Sequence, residues 1–116
     1  MTARLPRFVA AAGLACLLLG ACAGGGAETP NAVAVTVKSF AFQPRTIRVR
    51  AGGTVTWTNK DSFDHSVQID SLHVAGPKFG PQSSQTTFSH RFTTAGTYPY
   101  ICGVHNSMTG TVIVTS

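Results

Sequence analysis

Three metal-capable side chains stand at intervals of three near the end of the chain: the thiol of Cys102, the imidazole of His105 and the thioether of Met108. They lie in the run Tyr98-Pro99-Tyr100-Ile101-Cys102-Gly103-Val104-His105-Asn106-Ser107-Met108-Thr109-Gly110. A thiolate is a soft ligand, an imidazole is intermediate, and a thioether binds well only to polarisable metals. Cys-x-x-His-x-x-Met therefore favours copper over zinc, calcium or magnesium. Structural zinc asks for four strong Cys or His donors, commonly in paired short-spaced sets, and one candidate cysteine is too few. Three ligands on one loop still leave a gap, so a second imidazole must come from another strand. His65 is the candidate, because it opens an alternating run directly after the polar loop 60–64.

Taken singly, each residue has a plainer use: Cys102 as a buried structural thiol, Met108 as core packing, His105 as a surface histidine. Their joint spacing, behind a Gly-x-Tyr-x-Tyr run and with His65 upstream, is what points to a metal. His73 lies in a Gly/Pro-rich segment and reads as a solvated loop residue. His90 alternates with Phe88 and Phe92 and reads as a partly buried sheet histidine.

The elements that must position these donors all read as β. Val33, Val35 and Val37 alternate with Ala34, Thr36 and Lys38, and Ile47 and Val49 alternate with Arg48 and Arg50, the period of a half-buried strand. Ala51-Gly52-Gly53 marks a turn before Thr54–Thr58, which buries Val55 and Trp57. His65–Ile69, Thr87–Phe92, Thr97–Cys102 and Thr111–Thr115 alternate in the same way, whereas 70–85 is broken by Gly76-Pro77 and Gly80-Pro81. Pro44 and Pro99 belong at strand starts or edges, since proline cannot donate to a ladder. Seven to eight short strands without a helical period predict an all-β, Greek-key β-sandwich.

The start of the chain reads as a targeting segment. Arg4 and Arg7 precede an apolar run, Phe8 to Leu19, that is too short to span a membrane, which takes about 20 residues. Leu19-Gly20-Ala21-Cys22 resembles a bacterial lipobox, with Cys22 as the lipidated residue. The division expected is a lipoprotein-type signal peptide over 1–21, a flexible small-residue tether over 22–32 and one domain over 33–116. Cleavage near Ala21 or Ala23 as an ordinary secretory signal is the other reading; either way the protein is exported, into a periplasmic or other extracytoplasmic space. The chain carries nine Lys/Arg and four Asp/Glu. Without Arg4 and Arg7, seven remain against four, a formal charge of +3 that is scattered rather than clustered. No nucleic-acid footprint results. No Ser/His/Asp or paired-carboxylate arrangement has supporting context, so no enzymatic role is expected.

The pattern Phe42…Pro44…Ile47-x-Val49…Gly53-x-Val55-x-Trp57-x-Asn59…His65-x-Val67, followed by Gly96-x-Tyr98-x-Tyr100-x-Cys102-x-x-His105-x-x-Met108-x-Gly110, resembles the plastocyanin/azurin family of cupredoxins. The two residues between His105 and Met108 are most similar to the amicyanin loop. The resemblance implies one type 1 copper ion cycling between Cu(I) and Cu(II). Cys102 would supply the thiolate, His65 and His105 the two imidazoles, and Met108 the weak axial donor. It implies a monomer that shuttles single electrons between exported or membrane-bound redox partner proteins; the separate lipobox-like run would hold that monomer at a membrane through Cys22. His105 would be the electron exit, with Val104 and Phe63 as a docking patch. Two positions depart from the pattern: Ser66 stands where Asn is common, and Asn106 where amicyanin has Pro. A copper-binding or copper-delivery lipoprotein is the alternative, but such proteins favour Met/His-rich open sites, and beyond Met1 this chain has only Met108.

Overall fold

The computed structural model describes residues 28–116; the expected signal segment, Cys22 and most of the tether lie outside the described residues. Nine strands form two sheets: β1 (Ala32–Lys38), β2 (Ala41–Gln43), β3 (Thr46–Arg50), β4 (Gly53–Asn59), β5 (Gln68–Ile69), β6 (Val74–Ala75), β7 (Thr87–Phe92), β8 (Gly96–Ile101) and β9 (Thr109–Thr115). One sheet has the order β2-β1-β4-β7 and the other β3-β9-β8-β5-β6. The chain changes sheet five times, between β2 and β3, β3 and β4, β4 and β5, β6 and β7, and β7 and β8. This is the all-β, Greek-key β-sandwich expected from the alternation.

The alternating residues fill the space between the sheets. Along β4, Val55, Trp57 and Asn59 are buried while Thr54, Thr56 and Thr58 are not. In β3 the arginines face out and Ile47 and Val49 face in. Trp57 packs against Phe88 and Tyr100, and the core continues through Phe79 and Phe92 to Cys102 and Met108. Two of the expected metal donors are thus part of the core itself.

Nine strands rather than seven or eight arise from short elements. The run His65–Ile69 is a strand only over Gln68–Ile69; His65 makes an isolated bridge with Phe79, exchanging N–H···O bonds of 3.1 and 2.9 Å. Within 70–85, a single 3₁₀ turn (Asp70–Leu72) and β6 interrupt irregular chain. Pro99 lies inside β8, opposite Thr111. The Thr111 N–H points away, to Arg45 O (2.9 Å), so this pair exchanges no ladder bond. The proline nitrogen faces the side where β5 meets β8 only at Gln68–Ile101, and no donor is missed.

The β1–β2 connection was invisible in the sequence. Lys38 pairs with Ala41, leaving a two-residue loop, Ser39-Phe40, with φ of 54° and 55°. Two positive values are type I′ geometry, which normally selects Asn or Gly. Placing two ordinary side chains there costs roughly 1–2 kcal/mol per residue, so something outside the turn must hold it.

Candidate metal centre

His65, Cys102 and His105 are brought together at one end of the sandwich. His65 Nδ1 lies 3.2 Å from His105 Nδ1, and Cys102 Sγ lies 3.7 Å and 3.9 Å from these two nitrogens. Three donors in a plane at about 2.0–2.3 Å from a first-row metal stand roughly 3.5–3.9 Å apart. The observed spacings lie close to that range, so the residues fit a metal of this size. Cys102 and His65 are fully buried, and His105 is partly exposed.

Cys102 follows directly on β8, and the loop to β9 is closed by backbone bonds. Cys102 N–H donates to Met108 O (3.0 Å), and Met108 N–H donates to His105 O (2.9 Å). The loop is thereby folded back on itself, with Met108 4% exposed in the core. Gly110, next in β9, lies against the Tyr100 ring so closely that a Cβ would collide with it. The glycine lets β9 start under the aromatic that precedes the cysteine.

His65 is set by a separate network. Buried Asn59 donates from Nδ2 to Phe63 O (2.8 Å) and Phe79 O (2.9 Å), and its Oδ1 accepts the Asp61 N–H (2.8 Å). This shapes the loop 60–64 so that Asp61 Oδ2 meets His65 Nε2 at 2.9 Å. A carboxylate accepts, so Nε2 carries the proton and Nδ1 presents its lone pair to the centre. Burial acts to push the Asp61 carboxyl up. The Phe40 N–H (2.9 Å), the His65 ring and the Ser39 N–H (2.6 Å) overcome it and hold the group below its ordinary value.

Ser66 bridges the two halves. Its N–H donates to Cys102 Sγ (3.4 Å) and its Oγ accepts the Gly103 N–H (3.0 Å), so the hydroxyl ties the two ligand loops as the more common asparagine would. Asn106 is exposed at the rim. Around His105 three apolar side chains reach solvent: Phe40 at 47%, Phe63 at 56% and Val104 at 41% exposure. Two of them, Phe63 and Val104, were expected. Phe40 and Asp61 were not, because nothing in the local sequence marks either as a neighbour of His65. His73 is exposed, as expected of a solvated loop residue, at the left-handed end of the 3₁₀ turn (φ 53°). His90 is half-buried against Phe92, where burial lowers its pKa. Neither joins the cluster.

A family model described as a cupredoxin-like domain matches residues 9–114. Amicyanin-alpha of Methylorubrum extorquens is 38% identical over 85 residues, 69% of either chain. Amicyanin of Paracoccus denitrificans is 33% identical, the match spanning 72% of this chain and 66% of that protein. Plastocyanin of Scenedesmus fuscus is 34% identical over 69% of this chain and 98% of its own. Among solved structures, an amicyanin variant in the Cu(I) form superposes with a TM-score of 0.65 at 27% identity, covering 77% of this chain and 87% of that one. The two-sheet fold, the His-Cys-His donor set with Met108 behind it, and these relatives agree: the chain belongs to the cupredoxin-like family, whose amicyanins and plastocyanins are type 1 copper electron carriers.

Proposed function

We propose that His65, Cys102, His105 and Met108 hold one type 1 copper ion and that the protein carries single electrons between redox partner proteins outside the cytoplasm. The observation that carries this reading is the convergence of two imidazole nitrogens and one buried thiol within 3.2–3.9 Å of one another. Bound there, copper supplies one electron by passing between Cu(I) and Cu(II). The protein's part is to keep the donors still. Cys102 offers a soft thiolate whose charge is moderated by the Ser66 N–H, while the carboxylate of Asp61 keeps His65 in one tautomer. Met108 contributes a weak thioether donor. A set of four protein donors leaves no open position for a substrate, in keeping with a carrier rather than an enzyme.

His105 is the one nitrogen donor with access to solvent, and Phe40, Phe63 and Val104 surround it. A partner seated on this apolar rim would exchange electrons through the His105 ring. The same end of the sandwich is remote from Ala32, where the tether leaves at the far end of β1. Cys22 in the lipobox-like run Leu19-Gly20-Ala21-Cys22 would anchor a monomer to a membrane through the end of the domain opposite the rim. Mass spectrometry of the exported protein tests this: a diacylglyceryl adduct on Cys22 supports the anchor, and an unmodified N-terminus at Ala23 or beyond refutes it. For the copper reading, an intense visible band with a reversible one-electron wave is expected. A colourless adduct without such a wave would indicate copper binding or delivery instead.

A further inference from the structure

We infer that Asp61 and Phe40 are positioning residues that set both imidazoles of the copper site from outside the ligand loop, acting together as one strap. The inference rests on the copper reading above. Its grounds are three independent features of the structure. Asp61 spends both carboxylate oxygens on the β1–β2 turn, taking the Ser39 N–H on Oδ1 and the Phe40 N–H on Oδ2, and it still accepts from His65 Nε2. The turn itself sits at positive φ in two non-glycine residues, a conformation it keeps only while an outside group holds it. The ring that the turn carries then stands edge-on to both ligands, 5.5 Å and 90° from His65 and 5.1 Å and 89° from His105.

Phe40 is 47% exposed, so burial alone does not account for its place. What does is the carboxylate, which fixes the amide of the same residue. One group therefore orients His65 directly through Nε2 and, through the turn and the Phe40 ring, limits rotation of both imidazoles. Loss of Asp61 would free the turn and the His65 tautomer together. Loss of the Phe40 ring would free the imidazole faces while leaving the carboxylate in place.

The test uses the full exported protein and the variants Asp61→Asn, Phe40→Leu and the double variant, with copper as the probe. Asn keeps one acceptor oxygen for three donors and offers a conflicting N–H. Changes to such outer partners cost about 10- to 100-fold in metal affinity. Asp61→Asn is expected to release Cu(II) to a chelator at least ~10-fold faster and to raise the potential, because a less basic imidazole favours Cu(I). Each tenfold selective loss of Cu(II) affinity appears as ~59 mV. In the metal-free protein, imidazole ¹⁵N shifts should show His65 as a single Nε2–H tautomer in the wild type and a mixture in Asp61→Asn. Phe40→Leu should also speed release, and the double variant should fall well short of the product of the two factors. Adding Ser39→Gly to Asp61→Asn should recover thermal stability, since glycine takes positive φ freely, yet leave release fast. Effects that multiply, unchanged tautomer and potential in Asp61→Asn, or full recovery of copper retention by Ser39→Gly would each overturn the strap. A wild-type protein that fails to form a blue copper complex would instead overturn the reading on which it rests.

Discussion

Replacing Tyr100 by Phe removes one oxygen from the middle of the core, and the surroundings of that oxygen determine the effect. Tyr100 is 2% exposed, packed edge-to-face with Phe42 and Trp57 at 4.7 and 5.3 Å, and its hydroxyl makes no well-aligned hydrogen bond; the Trp57 indole N–H, itself without a well-aligned acceptor, is the donor beside it and opposes only part of the effect of burial. A buried hydroxyl left unpaired costs about 1–3 kcal/mol, and the small void left by its removal offsets part of that gain. Tyr100→Phe should be as stable as the wild type at pH 7, or more stable by about 1 kcal/mol. In alkali the two proteins behave differently. Burial pushes the phenol from its ordinary 10.0 up to about 12. A group whose folded value is raised contributes stability that is complete below the unfolded value and is lost as pH rises through the folded one. The window is therefore pH 10 to about 12. The whole shift corresponds to about 3 kcal/mol, and about half of it is lost by pH 11. Urea unfolding of the metal-free protein, followed by the single tryptophan, Trp57, measures it at pH 7, 9, 10 and 11. Titration of lysines and of Tyr98 is common to both proteins, so the difference isolates Tyr100. Parallel losses in the two proteins between pH 9 and 11, or a Phe variant destabilised at pH 7, would show that the buried hydroxyl carries no such cost.

Other perturbations probe the loop more directly. Gly110→Ala would place a Cβ 2.5 Å from the Tyr100 hydroxyl and 2.7 Å from its Cε1. Overpacking of this kind costs about 1–3 kcal/mol; the urea midpoint should fall, and with Tyr100 displaced the blue band should weaken as Cys102 shifts. Met108→Leu conserves volume and should cost under about 1.5 kcal/mol. Copper should stay bound while voltammetry shows a higher potential, and an unchanged potential would count against Met108 as a donor.

How much of the molecule was legible in the sequence depended on whether a residue's role was local. β1, β3, β4, β7, β8 and β9 each announce themselves by alternation, because one face of each meets the core. The candidate donors on the loop from Cys102 stood out because three metal-capable side chains seldom fall at such spacing for packing reasons. The clustering of His65 with Cys102 and His105 was expected from its place after a polar loop, although the strand expected to carry it shrinks to a single bridge with Phe79. The β1–β2 hairpin was hidden because Ser39-Phe40 contains neither Gly nor Asn. What makes the turn possible is Asp61, more than twenty residues further along the chain. Asp61 itself sits in a loop that looks merely solvated until folding places it between His65 and the turn. Ser66 suggests a weakened tie between the ligand loops, yet a hydroxyl at the right distance from the Gly103 N–H suffices. Residues whose work is done across the sandwich leave no periodic trace, and the surroundings of His65 are made almost wholly of these.

The function proposed for this protein depends on Cys102, His65, His105 and Met108 forming one type 1 copper site. The visible and EPR spectra of the copper-loaded protein, set beside those of Cys102→Ala, test it most directly. The wild type should be intensely blue, with the narrow copper hyperfine splitting of a thiolate-bound Cu(II), and Cys102→Ala should lose both because the described residues hold no other thiol to replace it. A wild-type spectrum that is pale with a wide splitting, or one that survives in Cys102→Ala, would rule out a thiolate-bound copper at this site.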